Sequence, residues 1–421
     1  MSVKLTTLDN GIRVVTDEIN YVKSISCGAW FAAGTRHETE KENGIAHLLE
    51  HMAFKGTNQR SAYDISVEIE SVGGYLNAYT SRESTAYYAR ALSQHLPLCV
   101  DILSDILQNS VFDEDELERE KSVVLQELGQ AKDTPDDIIF DYFQEECYPD
   151  QPMGYSILGT EQSVRSIQSD DLKNFIQQKY TPENMVFSAS GLIKHDEIVK
   201  LVEQSFKDLP HHPSKELQQA RYVGKTKFDI KPLEQAHVLI GAETINYFDP
   251  LYFPLMIYSM ILGGGMSSRL FQEIREKRGM VYSIFTTTSI FKDSGTFGIY
   301  AGTGVEELKQ LVPLVAQELE KACSGFLDEE ISKAKNQLKA SLLMGLESTS
   351  SRCERYANQV LIHGTTKSID DITQKVDQIT NQQLIQIAEK IYTNKPTLVG
   401  VGPVDHLKNN YSELTAFSQI K

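Results

Sequence analysis

One order of elements occurs twice along this chain, and that repetition restricts the fold more than any single segment does. In the first half a hairpin pattern over Tyr75–Leu92 precedes an apolar helix near Pro97–Leu107. Phe112-Asp113-Glu114-Asp115-Glu116 then opens a second, long helix. In the second half strand patterns over Val281–Ile290 and Gly295–Thr303 precede a helix near Glu306–Ala322, and Phe326-Leu327-Asp328-Glu329-Glu330 opens another long helix. Alternating strands and helices that recur in one order read as a supersecondary unit used twice. Between them His211-His212-Pro213-Ser214-Lys215-Glu216, continuing to about Lys225, is polar and contains proline, as a linker does. The expected architecture is α+β: two tandem, homologous two-layer domains, each a mixed sheet packed by helices. They cover 1–212 and 225–421, with a linker at 213–224. Two unrelated α+β domains are the alternative.

At 421 residues the chain can bury two or three cores. Its 41% hydrophobic and 24% charged content are ordinary for a soluble globular protein. No segment approaches the run of about 18 apolar residues that a membrane span needs, and Met1-Ser2-Val3-Lys4-Leu5-Thr6 has no apolar signal core. Neither membrane insertion nor export is expected. The five cysteines (Cys27, Cys99, Cys147, Cys323, Cys353) are scattered and odd in number, with no CxxC pair. That speaks against a disulfide framework or a cysteine-type zinc site and fits a reducing compartment. A net charge of −17 speaks against sequence-independent nucleic-acid binding, which needs basic patches. It favours basic partners, basic peptides among them, although solubility alone explains excess carboxylate.

The chemistry concentrates in His47-Leu48-Leu49-Glu50-His51. Residues 44–54 read as a short helix stopped by Gly56. Positions i and i+4 share a face, so His47 and His51 point the same way and Glu50 lies near that face. This HxxEH order describes a zinc site with its own general base. The competing reading is a helix with two surface histidines and an unrelated glutamate. A hydrolytic zinc needs a third protein ligand and an open position. The helix Asp113–Ala131, with Leu117, Val124 and Leu128 as its apolar stripe, offers Glu120 and Glu127, two turns apart on one face. Spacing leaves the choice between them open.

The chain resembles the pitrilysin family of zinc peptidases, and within it the β-type subunit of mitochondrial processing peptidase and its bacterial relatives. The resemblance rests on His47–Thr57, on Gly74-Tyr75-Leu76-Asn77-Ala78-Tyr79-Thr80-Ser81-Arg82-Glu83, and on Glu118-Arg119-Glu120 with Val124-Leu125-Gln126-Glu127. It runs from Leu8-Asp9-Asn10-Gly11 to Leu398-Val399-Gly400. It implies the pitrilysin type of duplicated fold and one Zn²⁺ per chain. In the family about seventy-five residues separate the second histidine from the glutamate ligand, and 75 lie between His51 and Glu127. The resemblance thus implies His47, His51 and Glu127 as ligands, Glu50 as general base and Glu120 as a supporting carboxylate. It implies that the strand bearing Asn77 and Ala78 pairs with substrate backbone, although Asn77 reads equally as a residue satisfying a local turn. Arg275 and Tyr282, seven apart in Phe271–Tyr282, match an Arg/Tyr pair that touches substrate from the family's inactive half. The other reading of that stretch is an ordinary helix end with basic residues and Gly279.

No ligand cluster appears where HxxEH would recur in the second half, at Ile261-Leu262-Gly263-Gly264-Gly265-Met266-Ser267-Ser268. Gly263–Gly265 lack the Lys-Ser/Thr ending of a phosphate loop; in the family a glycine-rich loop here gates substrate in a noncatalytic partner. The resemblance implies a zinc endopeptidase acting on extended, unfolded peptides, presequence-like basic ones included, in a closed chamber. It implies a homodimer, or a heterodimer with a noncatalytic relative, in the bacterial cytoplasm or the mitochondrial matrix. The alternatives are a structural subunit of a larger complex and a zinc hydrolase with a non-peptide substrate.

Overall fold

Runs rich in β-branched and aromatic residues become the strands. The computed structural model describes residues 3–212 and 217–409; residues 213–216 of the expected linker lie outside the described residues. The first sheet contains β1 (Val3–Thr7), β2 (Arg13–Glu18), β3 (Ser24–Phe31), β4 (Tyr75–Thr80), β5 (Thr85–Leu92) and β6 (Met185–Gly191). Their order is β1-β2-β6-β3-β5-β4, with β2 and β6 parallel and the other neighbours antiparallel. The second sheet contains β7 (Thr226–Ile230), β8 (Ala236–Glu243), β9 (Val281–Ile290), β10 (Gly295–Thr303) and β11 (Thr397–Gly402). Its order is β7-β11-β8-β10-β9, and β7 and β11 form its parallel pair. Setting β7, β11, β8, β10 and β9 against β2, β6, β3, β5 and β4 superimposes both order and strand direction. The repeat read from the sequence is a repeat of topology.

Each sheet is covered on both faces, which is why β3, β6, β10 and β11 are buried on both sides instead of alternating. On one face of the first sheet Cys27, Ala29 and Phe31 join Leu48, Leu49, Cys99, Ile102 and Leu103 in the main core. Alternation puts Val15, Trp30 and Val186 on the opposite face, where Cys353, Tyr356, Ala357 and Val360 of the helix Thr349–His363 cover them. In the second unit Leu239, Val399 and Val401 are covered by Ile138, Ile139, Phe143 and Cys147 of the helix Pro135–Cys147. The packed units therefore differ from the contiguous stretches 1–212 and 225–421. Gln130–Gly154 belongs with the second unit, and Leu343–Lys367 with the first. A sheet whose second face is apolar needs a second cover, and each half of the sequence supplies the other's.

Polar groups fix the first of these helices in place. Arg352 Nε donates to Asp17 Oδ2 at 2.5 Å, with the two side chains 2% and 0% exposed. Ser188 Oγ donates to the Cys353 carbonyl at 2.7 Å. All five cysteines are free thiols. No helix among the described residues is long and apolar enough to cross a membrane.

Candidate metal centre

The HxxEH segment lies on the helix Ile45–Met52. Gly44 precedes it with φ +93°, and a Cβ there would meet the Leu158 carbonyl oxygen at 2.8 Å, so glycine is required. The first turn is satisfied by a buried carboxylate that the sequence reading did not single out. Glu38 Oε2 accepts the Gly44 N–H and Oε1 the Ala46 N–H, each at 2.9 Å. On the inner face of this helix Leu48, Leu49 and Met52 enter the core, which leaves His47, Glu50 and His51 on the other side.

Glu127 comes from the helix Glu114–Asp133. Asp113 caps that helix by accepting the Asp115 and Glu116 N–H groups, and Leu117, Val124 and Leu128 bury its stripe. Its register brings Glu127 Oε2 to 3.8 Å from both His47 Nε2 and His51 Nε2. One donor atom from each of the three residues lies within 4.8 Å of the others. A tetrahedral ion bound at about 2.0–2.2 Å holds its donors roughly 3.3–3.6 Å apart, so this cluster fits zinc with a small inward adjustment. Burial, and then the neighbouring His51, push the His47 imidazole down to about 4. It is therefore neutral at physiological pH, as a metal ligand must be.

Glu120, the other carboxylate on that helix face, is not in the cluster. Its Oε2 lies 3.0 Å from His51 Nδ1, and its Oε1 is 2.6 Å from Lys55 Nζ. Burial alone would raise its carboxyl, but hydrogen bonds and charge from Lys55 and His51 hold it below its ordinary value. An ionised Glu120 accepts a hydrogen bond from the Nδ1–H of His51 and so directs the lone pair of Nε2 at the ligand cluster. Replacing Glu120 with alanine is expected to weaken zinc binding about 10–100-fold, measured by competition with a chromophoric chelator.

Glu50 also stands outside the ligand set. Its Oε2 accepts a hydrogen bond from Thr80 Oγ1 at 2.7 Å. Burial raises its carboxyl, against the lowering effects of Thr80 and His51. Thr80 ends β4, the edge strand carrying Asn77 and Ala78. Asn77 is occupied locally: its Oδ1 accepts the Ala78 N–H at 2.8 Å and its Nδ2 donates to Tyr75 OH at 2.5 Å.

Residues 13–161 match the insulinase family, peptidase family M16, and residues 166–338 match the peptidase M16 inactive domain. The chain belongs to peptidase family M16. An uncharacterized zinc protease of Bacillus subtilis is 36% identical over 95% of this chain and 98% of its own length. One of Streptomyces coelicolor is 35% identical over 96% and 90%. The mitochondrial-processing peptidase subunit beta of Lentinula edodes is 34% identical over 96% and 91%. Among solved structures, a protease from Helicobacter pylori has the same fold (TM-score 0.88, 22% identity, 96% of this chain and 99% of that one). So does an M16 inactive domain from Pseudomonas fluorescens (TM-score 0.90, 21% identity, 96% and 98%).

Relatives named zinc proteases imply a zinc cofactor for this M16 chain, and among the described residues His47, His51 and Glu127 form the cluster that could hold it. The two residues singled out within the inactive-domain match lie in the second unit. Arg275 sits in the helical turn Phe271–Glu276 with its guanidinium 4.6 Å from the Phe271 ring centroid. Tyr282 is on β9 and 77% exposed. Gly263 closes the helix Tyr252–Gly263, where a Cβ would meet Thr286 N at 2.6 Å; close packing against β9 accounts for this glycine.

Three residues that the sequence reading passed over act on the site: Glu38, Lys55 and Thr80. Lys55 stands four positions after His51 and Thr80 two after Ala78. Strand periodicity was the available signal for Thr80, whereas Lys55 lies past the end of the helix Ile45–Met52, where helical period no longer places a side chain.

Proposed function

We propose that this M16 chain is a zinc-dependent endopeptidase that hydrolyses extended peptides, with Glu50 as the proton-transferring residue. The observation that carries this reading is the division of labour on one short helix. His47 and His51 converge with Glu127, while Glu50, one residue from His51, keeps a separate hydrogen bond to Thr80. A bound zinc lowers the pKa of water and polarises a carbonyl oxygen. Glu50 takes a proton from the attacking water and delivers it to the amine nitrogen as the C–N bond breaks. Its burial, which raises its carboxyl, suits a group that must both accept and return a proton.

The edge position of β4 supports backbone recognition, since an extended peptide can add as a further strand. Asn77 would have to release the Ala78 N–H for that to happen. Such pairing reads backbone more than side chains, so cleavage should be broad in sequence. The net charge of −17 favours basic peptides. Arg275 and Tyr282 belong to the same reading as substrate-contacting residues, within the closed chamber of a homodimer. One zinc per chain and a cytoplasmic location complete it.

The test removes the metal. Protein dialysed against dipicolinate and incubated with a mixed peptide library, read by mass spectrometry, is expected to cleave nothing. Added Zn²⁺ restores cleavage, with the titration breaking at one equivalent per chain. Equal cleavage before and after metal removal overturns the reading.

A further inference from the structure

The peptidase reading needs a general base but says nothing about what aims it. A glutamate side chain turns about three torsions, and unless something fixes it, it loses entropy on adopting one orientation. A base has to sit within about 2.6–3.2 Å of the proton it takes, and an error of about 1 Å can cost roughly 10²-fold.

Thr80 supplies the fixing group. It is β-branched and therefore stiff at χ1, and its backbone is held in the ladder opposite Thr85. Thr85 is itself tied down, donating its hydroxyl to the Ala33 carbonyl at 2.8 Å. The Thr80 hydroxyl has one proton. Glu50 Oε2 lies 2.7 Å away and the Ala46 carbonyl oxygen 3.4 Å, so the hydroxyl donates its hydrogen bond to the carboxylate and the carbonyl is a weak second acceptor. Among the described residues no group hydrogen-bonds Glu50 Oε1. The two carboxylate oxygens are thus unequal, one clamped and one open.

Building on the peptidase reading, we infer that Thr80 is the positioning residue of Glu50: its hydroxyl holds Oε2 and reserves Oε1 for the proton in transit. The water oxygen bonds the carbonyl carbon as its proton moves to Oε1. That proton passes to the nitrogen as the C–N bond breaks, and Glu50 ends as the carboxylate it began. Thr80 stays a donor throughout, and its hydroxyl acts through Glu50.

The experiment compares wild type, Thr80→Val, Thr80→Ser and Glu50→Gln on one cleaved peptide. Zinc affinity of each is measured by chelator competition, and crystal structures of the metal-free wild type and Thr80→Val proteins are compared. Thr80→Val keeps the shape and removes the donor. It is expected to lower kcat about 10–100-fold, with KM and zinc affinity within about twofold of wild type and Glu50 displaced or in several rotamers. Thr80→Ser restores kcat to within about threefold. Wild-type kcat in Thr80→Val, an unmoved Glu50, or failure of serine to restore kcat overturns the inference while leaving the peptidase reading intact. Parallel loss of zinc affinity also overturns it, since the defect would then be structural. No cleavage by wild type overturns both.

Discussion

Replacing Glu50 with glutamine is expected to lower kcat for peptide cleavage by about 10²–10⁴-fold while zinc content stays at the wild-type level. Glutamine preserves the volume of the side chain, and its carbonyl oxygen can still accept from Thr80, so the helix Ile45–Met52 and its packing are undisturbed. What is lost is a group that can carry a proton. Glu127→Gln makes the opposite comparison. Glu127 Oε2 stands 3.8 Å from both imidazole Nε2 atoms, so this change removes the anionic ligand, and activity and zinc should fall together. Elemental analysis of the purified variants beside steady-state kinetics separates the two. Zinc loss in Glu50→Gln, or kcat within tenfold of wild type, would sink the assignment of Glu50.

The second large effect is on stability. Arg352→Ala is expected to destabilise the first unit by about 3–5 kcal/mol, read as a lower urea midpoint. Arg352 and Asp17 are 2% and 0% exposed, and Oδ1 of Asp17 already lacks a partner among the described residues. Deleting the guanidinium leaves a buried carboxylate with no counter-charge. The attraction between the pair does not set the size of the loss, because desolvation offsets much of it. The double change Asp17→Leu with Arg352→Met should therefore recover most of the stability lost by Arg352→Ala alone. A double variant no more stable than Arg352→Ala would show that packing, not charge, accounts for the effect.

These two predictions draw on parts of the molecule that differ in how far the sequence revealed them. Strands β9 and β10 were readable at Val281–Ile290 and Gly295–Thr303 because turn residues bound them, and the long acidic helix openings marked the repeat. His47 and His51 follow from helical period alone. Glu120 and Glu127 share a helix face, so period could not choose between them. Depth along the helix axis separates them, with Glu127 level with the imidazole Nε2 atoms and Glu120 behind His51 Nδ1. Only family resemblance carried that information in advance. The exchanged helices were illegible for a similar reason. The apolar stripe of Thr349–His363 announces that a face is buried, but nothing local names the sheet it covers. Thr80 lay inside a quoted motif, yet its meeting with Glu50 joins positions 30 apart in sequence.

The borrowed cover on the first sheet also sets a timetable for synthesis. The last strand of that sheet, β6, ends at Gly191, but the helix that shields Trp30, Val15 and Val186 is not complete until His363, about 170 residues later. At about 5–20 residues per second, the nascent chain presents that apolar face for roughly 10–30 s before its own partner segment exists. Until then the amino-terminal half carries an apolar sheet face with no cover from its own chain, the kind of exposed surface that makes a partly made chain prone to aggregation.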